Sequence, residues 1–268
     1  MPADLHSALD FAVSRRDAGT LAMVRRAIAH REVLLAFQPI VQAGAPDKVA
    51  FYEGLVRVLD ETGRVIPARD FILAVETTEM GRQLDCIALH KGLAELRREP
   101  GLRLAINMSA RSIGYRQWRD ILERGLEADP TVGERLILEV TEHSAITVPE
   151  LLVEFMHATQ RRGVSFAIDD FGAGYTALRY FKDFFFDMLK IDGQFVRDIA
   201  HDPDNQVLVA AMIKIAEQFD MFTVAESVEN AEDAEILRQL GVTCLQGYHW
   251  GAPRVTPPWR EPADRRTA

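Results

Sequence analysis

The apolar and polar positions along the chain follow two alternating periods. Over the first 33 residues, apolar positions stand at helical spacing among charges, with Leu21, Val24 and Ile28 as the clearest set. Further along, short runs rich in β-branched and aromatic residues alternate with helical patterns. The runs predict strands at 34–41, 49–58, 102–109, 135–142, 164–170, 188–192, 223–229 and 244–250. Helices are predicted at 82–98, 111–127, 149–162, 175–182, 205–219 and 230–240.

Eight strands with helices between most of them predict an α/β fold, a (β/α)8 TIM-like barrel. Only about eight residues separate the first two strands, too few for a parallel crossover, so we expect an antiparallel first strand pair. We expect an N-terminal helical extension at 1–20, the barrel domain at 21–255 and a flexible tail, rich in Pro, Arg and Asp, at 256–268.

Composition and charge narrow the class of protein. The 268 residues carry a formal net charge of −9, which argues against DNA and acidic membranes as partners because both need a basic surface. Cys86 and Cys244 match no zinc-ligand spacing and are expected to be reduced thiols in a cytoplasmic protein. No apolar run is long enough for a signal peptide or a membrane segment; the aromatic stretch 184–186 is far too short.

Polar residues stand at the predicted strand ends, where an α/β barrel places its catalytic groups. They are Glu53, Asn107, Glu139, Glu142, Asp169, Asp170, Lys190, Asp192, Glu226, Glu229 and Gln246. Carboxylates that converge on one barrel mouth repel one another unless a cation lies between them, and oxygen ligands suit Mg²⁺ or Mn²⁺. The adjacent Asp169 and Asp170 favour a pair of metal ions with one shared ligand, an arrangement that suits displacement at phosphorus.

Taken singly, each of these residues also has a plain structural explanation. A strand-end carboxylate is often a helix N-cap, and Asn107 can cap the helix that follows it. An isolated lysine such as Lys190 is usually solvated, and Gln246 near a turn is usually structural. The functional interpretation therefore depends on the whole set. The seven histidines show no paired spacing, which makes a zinc site a weaker hypothesis.

A glycine-rich segment offers a competing interpretation. Residues 172–177 match the loose dinucleotide-binding fingerprint G-x-G-x-x-G/A after a strand and before a helix, and Asp192 lies about 20 residues on. The strand is the fifth rather than the first, and it ends in two acids that would repel a pyrophosphate. We therefore interpret the segment as a flexible hinge beside the metal ions.

Eight ordered segments carry the most specific signal in the chain. They are FQPI (37–40), YEGLVR (52–57), NMS (107–109), EVTE (139–142), DDFG (169–172), KID (190–192), AESVE (225–229) and QGY (246–248). In order and spacing they resemble the signature segments of EAL-domain cyclic-di-GMP phosphodiesterases, over about residues 20 to 255. The resemblance implies a two-metal hydrolase that opens cyclic di-GMP, a bacterial second messenger, to linear pGpG.

The resemblance also implies roles for individual residues. The first metal ion would be held by Glu53, Asn107, Glu139 and Asp169, and the second by Asp169, Asp170 and Glu226. The metals would be Mg²⁺ or Mn²⁺, two per active site. Lys190 would hold the attacking water, Glu142 would anchor the loop at 171–178, and Glu229 would support the site. Gln38 and Arg57 match positions near the substrate, and Gln246 supports the site beside them.

Two positions depart from the family pattern. Glu-Ala-Leu becomes Glu53-Gly54-Leu55, which adds backbone freedom worth roughly 0.5–1 kcal/mol but keeps the acidic ligand. Ser227 stands where the family usually has glycine, and a serine would be strained there if the turn needs a positive φ.

Two alternatives remain to the hydrolase hypothesis. One is an EAL-type module that senses cyclic di-GMP or contacts a partner protein without turnover. The other is a different metal-dependent barrel enzyme of the enolase type, which the antiparallel first strand pair disfavours. The region around 175–187, with its aromatic residues at 184–186, predicts either a homodimer face or core packing.

Overall fold

The computed structural model describes residues 8–174 and 181–260. The helices in these ranges are α1 Ala8–Ala29, α2 Ile72–Val75, α3 Glu79–Arg98, α4 Arg116–Ala128, α5 Glu142–Thr147, α6 Pro149–Gln160, α7 Gly193–Val196, α8 Pro203–Gln218 and α9 Ala231–Leu240. The strands are β1 Val33–Gln42, β2 Ala45–Leu59, β3 Val65–Pro67, β4 Leu104–Asn107, β5 Leu136–Thr141, β6 Ser165–Phe171, β7 Met188–Ile191, β8 Phe222–Ala225 and β9 Cys244–Gln246.

Eight of these strands close into a barrel. The order is β1-β9-β8-β7-β6-β5-β4-β2, and β1 pairs again with β2. Neighbouring strands in the series β2, β4, β5, β6, β7, β8 and β9 pair in parallel. Strand β1 runs antiparallel to both of its neighbours, β2 and β9. The predicted TIM-like barrel with an antiparallel first strand pair is thereby confirmed. The short β3 pairs with the far end of β2 outside the barrel.

The β1–β2 hairpin explains why the barrel contains one reversed strand. Its pairing continues from Val33 opposite Val58 to Gln42 opposite Ala45, which leaves a very tight connection between the strands. A parallel crossover needs a dozen or more residues, so this connection imposes antiparallel pairing. No helix follows β1 directly along the chain, and α3 packs on its outer face instead.

Each barrel strand follows the two-residue side-chain period, and this period places a layer of apolar side chains inside the barrel. The layer comprises Ile40, Phe51, Ala105, Ile137, Ala167, Met188, Val224 and Cys244. Along every parallel strand, the next inward residue lies two positions later, nearer the carboxyl end. On β1 it lies two positions earlier, at Gln38, because that strand runs in the opposite direction. The apolar layer is the floor beneath those side chains.

The N-terminal helix contributes to a second, smaller core. Val24 and Ala27 of α1 pack with Val33 and Val58 of the hairpin and with Leu84 of α3. α1 continues from Ala8 to Ala29 without interruption, so one helix crosses the domain boundary that the sequence predicted at residue 20. Among the described helices, none combines the length and the apolar character that a membrane span requires.

Several predicted element bounds differ from the structure. Strand β9 ends at Gln246 instead of residue 250, because the Gly247 backbone passes so close to Val228 that a Cβ would lie 1.9 Å from its carbonyl oxygen. Helix α4 begins at Arg116, after a short 3₁₀ turn at Ala110–Gly114. The helix predicted at 175–182 lies mostly outside the described residues.

The C-terminal segment is described as far as Arg260, so most of the tail predicted at 256–268 lies outside the described residues. Arg254 pairs with Phe37 on the outer side of β1. The Trp259 ring then packs edge-on against Phe37 at 4.8 Å and against Tyr52 at 5.0 Å. Its indole Nε1 donates to Glu95 of α3 at 3.4 Å. This segment packs on the outer face of β1 beside α3, which gives the aromatic side chain an apolar surface to bury.

Candidate active site

The carboxyl ends of the parallel strands carry a second layer of side chains above the apolar floor. It comprises Glu53, Asn107, Glu139, Asp169, Lys190, Glu226 and Gln246, each two positions after a floor residue on its own strand. Lys190 is 0% exposed, Glu139 1% and Glu53 4%. Charged groups are rarely buried to this degree unless they are paired or coordinate a cation. These seven of the strand-end residues that the sequence predicted to converge lie together in one layer.

Lys190 is the centre of this layer. Its Nζ lies 2.7 Å from Glu226 Oε1, 2.9 Å from Asp169 Oδ1 and 3.0 Å from Glu139 Oε2. Glu53 Oε2 lies at 3.5 Å. One ammonium group therefore faces four carboxylates, so the layer holds more negative than positive charge within a few ångströms. Such a cluster attracts further cations.

The protonation of these groups reflects burial and the surrounding charges. Burial and the neighbouring Glu53 raise the pKa of Glu139 well above its usual range. The pKa of Glu226 is also raised well above its usual range, by burial and by Asp169, although Lys190 opposes the shift. Burial alone would lower the pKa of Lys190, but the surrounding carboxylates raise it well above its usual range, so the lysine stays charged.

Two amide side chains hold Glu53 in place. Asn107 Nδ2 donates to Glu53 Oε1 at 2.7 Å, and Gln246 Nε2 donates to Glu53 Oε2 at 2.6 Å. Gln246 Nε2 also lies 3.2 Å from Gln38 Oε1, and Gln38 Nε2 in turn donates to the Gly251 carbonyl at 3.2 Å. These donors and Lys190 lower the pKa of Glu53 although burial opposes the shift. Glu53 is therefore an ionised and well-oriented acceptor.

Asp169 and Asp170 are neighbours on β6, where side chains would normally point to opposite faces. The pairing of β6 with β7 is irregular between Ile168 and Phe171, and Asp170 has φ 54°. This left-handed residue turns its side chain back toward the barrel mouth. Ligand atoms of Asp169, Asp170 and Glu226 consequently lie within 4.8 Å of one another. Burial and Asp169 raise the pKa of Asp170 to about 6.

The donor set fits divalent metal ions. Glu139 Oε1 and Gln246 Oε1 are buried oxygen atoms without a hydrogen-bond partner in the described part of the chain. A buried acceptor without a donor is costly, and a bound cation would satisfy it. The atoms offered are carboxylate and amide oxygens, the ligands that Mg²⁺ and Mn²⁺ prefer. The carboxylates of Asp169, Asp170 and Glu226 lie within 4.8 Å of one another and would repel one another less with a cation between them.

The remaining predicted residues lie around this cluster. Glu142 is the first residue of α5, and its Oε2 accepts from the Gly172 N–H at 3.2 Å. Because this N–H is already engaged, it is not available to a phosphate, which argues against the dinucleotide-fingerprint interpretation. Arg57 is half-buried on β2 and donates to the Val56 carbonyl at 2.9 Å. Glu229 is exposed, and no hydrogen bond or ion pair joins it to any described residue.

Ser227, which stands where the family usually has glycine, occupies a turn with a positive φ of 59°. Its Oγ accepts from Arg197 Nη2 at 3.2 Å and packs against Gly193, where a Cβ would lie 2.4 Å from it. A left-handed serine costs about 1 kcal/mol. The structure compensates with this hydrogen bond and with a glycine opposite.

Gly54, which stands where the family has alanine, leaves room for the side chain of Ile106. A Cβ at this position would lie 2.8 Å from Ile106 Cδ1 and 3.4 Å from the Ala105 carbonyl oxygen. Ile106 Cδ1 would also lie 2.8 Å from a Cβ placed on Gly92 of α3. Ile106 thus fills the volume that two glycines leave open, directly beside Glu53 and Asn107.

Two polar residues that were not predicted from the sequence hold the turn after β4. Asp85 of α3 accepts from the Ser109 N–H and from the Ser112 hydroxyl. Ser144 of α5 accepts from the Ala110 N–H at 2.8 Å. The one signal in the sequence is Asp85 itself, a charged residue inside the apolar stretch 84–89.

Comparison with known proteins agrees with this geometry. The EAL domain family model matches residues 21–253. Cyclic di-GMP phosphodiesterase PdeB of Shewanella oneidensis is 29% identical over 249 residues, and cyclic di-GMP phosphodiesterase PdeF of Escherichia coli K12 is 32% identical over 236 residues. The matches cover 91% and 86% of this chain but 29% and 31% of those proteins. The chain therefore spans about a third of the length of these relatives.

Two solved structures share the fold. The PaMucR phosphodiesterase in complex with c-di-GMP is 29% identical, with a TM-score of 0.77 over 88% of this chain and 97% of that one. The manganese and cyclic-di-GMP complex of BlrP1 from Klebsiella pneumoniae is also 29% identical, with a TM-score of 0.71 over 83% of this chain and 56% of that one. The family model extends over nearly the whole barrel and includes every strand-end residue of the site. This chain belongs to the EAL domain family.

Proposed function

We propose that this chain is a metal-dependent phosphodiesterase that hydrolyses cyclic di-GMP to linear pGpG. The observation that carries the proposal is the layer of four carboxylates around Lys190, which includes an unpartnered buried Glu139 oxygen and which Asp170 extends to the five acidic ligands implied by the family resemblance. The relatives named as cyclic di-GMP phosphodiesterases support the substrate. Such an activity would lower the level of the second messenger in the bacterial cytoplasm.

The proposed ligand sets follow the geometry of the mouth. Glu53, Asn107, Glu139 and Asp169 would hold one ion of Mg²⁺ or Mn²⁺, and Asp169, Asp170 and Glu226 would hold the other. When bound, such ions lower the pKa of water and neutralise phosphate oxygens. They would also allow an acidic protein to accept a substrate with two negative charges.

The side chains around the ions would orient the reactants. Water would add to phosphorus as the bond to the ribose 3′ oxygen breaks, and the leaving oxygen would take up a proton. Lys190, fully buried and charged, would hold the attacking water and stabilise charge that develops on the phosphate. Glu142 would keep the loop after β6 in position through the Gly172 N–H. Gln38 and Arg57 would contact the substrate, while Glu229 would support the site from the rim.

The homodimer prediction for 175–187 remains a proposal. Residues 175–180 lie outside the described part of the chain. Within the remainder, Phe184 and Phe186 are 7% and 4% exposed and belong to the core, whereas Phe185 is 51% exposed. Core packing therefore accounts for two of these three aromatic residues, and Phe185 is the one available to a second copy.

Product analysis tests the proposed reaction. Purified protein is incubated with cyclic di-GMP and either Mn²⁺ or Mg²⁺, and the products are separated by chromatography and weighed by mass spectrometry. We expect pGpG from the wild type and a loss of at least about 100-fold in kcat from Glu53→Gln and Lys190→Met, because the first removes a charged ligand of the proposed metal ion and the second removes the charged group beside the attacking water. Lys214→Met is the control, since Lys214 is an exposed lysine paired only with Glu217 on the same helix.

The alternatives give different results in the same assay. Binding of cyclic di-GMP without any product under either metal ion would identify a sensor module and disprove the hydrolase proposal. If cyclic di-GMP does not bind either, the assignment of cyclic di-GMP as the ligand is disproved. Equal turnover by Lys190→Met and Lys214→Met would show that the buried lysine has no part in the reaction.

A further inference from the structure

The turn that follows β4 is tied to helix α3 through one carboxylate oxygen. The backbone N–H of Ser109 donates to Asp85 Oδ2 at 3.0 Å, and the Ser112 hydroxyl donates to the same oxygen at 2.6 Å. Ser112 is 0% exposed, so its hydroxyl cannot turn to water instead. The turn therefore cannot move relative to α3 without breaking both hydrogen bonds.

The other side of the turn is tied to β5 and α5. The Met108 N–H donates to the Glu139 carbonyl at 2.9 Å, and the Ala110 N–H donates to Ser144 Oγ at 2.8 Å. Ser144 lies two residues after Glu142, which holds the loop after β6. The turn thus lies between two supports, and Asp85 is the one charged side chain among them.

Asn107 is the last residue of β4 and immediately precedes this turn. Its Nδ2 donates to Glu53 Oε1 at 2.7 Å, so its Oδ1 points away from Glu53 and remains available as an acceptor. Asparagine has a short side chain, and the position of its amide follows the backbone closely. A shift of the turn by less than an ångström would separate the amide from Glu53.

We propose that Asp85 is a positioning residue for the first metal ion, because it holds the turn after β4 and thereby keeps the Asn107 amide in place beside Glu53. The inference deepens the proposed function and rests on the metal ligands proposed there. Asp85 itself touches neither the ions nor the substrate. Its contribution is to the affinity for the metal, as is typical of groups that orient a ligand from behind.

The surroundings of Asp85 support a role other than stability. The residue is half-buried within the apolar stretch 84–89, and burial raises the pKa of its carboxyl group to about 6. Asp129 provides the contrast. It accepts from the Thr131 N–H at 3.0 Å and from the Thr131 hydroxyl at 2.7 Å, again one backbone and one hydroxyl donor, but it precedes β5 and lies at the end of the barrel opposite the mouth. The same kind of capped turn therefore occurs at a place where it can position no ligand of the mouth.

Calorimetric titration with Mn²⁺, without substrate, tests the proposal. Because both donors share one oxygen, in Asp85→Asn they would share a neutral amide oxygen, which is a weaker acceptor than a carboxylate oxygen, and we expect Mn²⁺ to bind about 10-fold more weakly. Ser112→Ala removes one donor only and should weaken binding by a smaller factor. Asp129→Asn, the matched control, should bind Mn²⁺ like the wild type. In turnover assays, excess Mn²⁺ should restore kcat in Asp85→Asn while KM for cyclic di-GMP stays unchanged.

The outcomes separate this proposal from the proposed function. Wild-type Mn²⁺ affinity in a folded Asp85→Asn variant would overturn the positioning role, even if its melting temperature fell. If circular dichroism shows that Asp85→Asn does not fold, Ser112→Ala decides, and unchanged Mn²⁺ affinity there overturns the role. A wild type that binds Mn²⁺ without forming pGpG disproves the hydrolase, while the comparison of variants still applies. A wild type that binds no Mn²⁺ overturns both.

Discussion

Single residues in left-handed conformations shape the mouth of this barrel. Asp170 at φ 54° and Ser227 at φ 59° each sit beside a proposed metal ligand. Non-glycine residues in this region cost about 1 kcal/mol each and persist where surrounding contacts hold them. For Asp170 the gain is geometric, because two consecutive acids can then face one site. For Ser227 the Arg197 hydrogen bond offsets part of the cost.

The pH dependence of the free energy of unfolding should show the raised pKa of Asp85. Its pKa in the folded chain is about 6 against an ordinary 3.8, so the fold resists its ionisation, and this group's stabilising contribution is lost as pH rises from about 4 to 6. The Asp85→Asn variant has no carboxyl group at this position, so its stability does not fall in this way. Urea denaturation in EDTA should therefore show the variant gaining on the wild type between pH 4 and 7, by no more than about 3 kcal/mol.

Asp129 should behave in the opposite way. Hydrogen bonds from Thr131 hold the pKa of Asp129 below its ordinary value, so the fold favours its ionised form. Asp129→Asn should therefore lose stability relative to the wild type as pH rises through the acid range. A stability difference for Asp85→Asn that is independent of pH would contradict the assigned shift.

Gly54 is expected to be required by Ile106 rather than by chemistry. Gly54→Ala places a methyl group 2.8 Å from Ile106 Cδ1 and should lower the free energy of unfolding by about 1–3 kcal/mol. Adding Ile106→Val removes the opposing methyl group and should recover most of that loss, which a double-mutant cycle in urea measures. Gly44→Ala is the control, because a Cβ there meets nothing within 4 Å. Additive effects of the two changes would exclude the contact.

At the scale of elements, one short hairpin decides two features of the molecule. It reverses β1, which brings Gln38 to the mouth from the opposite chain direction and places it beside Gln246. It also leaves β1 without a helix of its own along the chain, so α3 and the C-terminal segment from Arg254 to Arg260 both pack on its outer face. The segment ends on the buried Glu95, which pairs with Arg260.

Trp259→Ala tests the importance of this segment. The side chain packs on Phe37 and Tyr52, the outward neighbours of Gln38 and Glu53. Its removal should lower the free energy of unfolding by about 2–3 kcal/mol, since a large, partly buried aromatic group is lost. Urea denaturation measures the change, with Val255→Ala as control because Val255 is 42% exposed. Equal stability of the two variants would show that the segment does not stabilise the barrel.

At the scale of the whole molecule, the acidic mouth contributes to the acidic composition. The chain carries a net charge of −9, and the mouth concentrates buried carboxylates that only Lys190 opposes among the contacts described. A closed barrel makes this possible, since its strands deliver one polar side chain each onto a rigid apolar floor. The curated relatives are about three times longer.

Much of the site was predictable because strand order and period are local properties of the sequence. The alternation of short apolar runs with helical patterns predicts the barrel, and the tight β1–β2 connection predicts the antiparallel pair. Once strands are assigned, parallel strands must present their carboxyl ends together. Convergence of Glu53, Glu139 and Lys190 follows from that rule alone.

Other features depended on tertiary contacts between distant segments. Asp85 meets Ser109 across 24 residues, and Trp259 meets Glu95 across 164, separations over which no local pattern signals contact. The left-handed turn at Asp170 is set by the irregular β6–β7 pairing rather than by its own preference. The sequence by itself thus determined which groups the mouth contains, because side-chain period is local. Their orientation was decided only by the tertiary structure, because hydrogen bonds from other elements hold each of them.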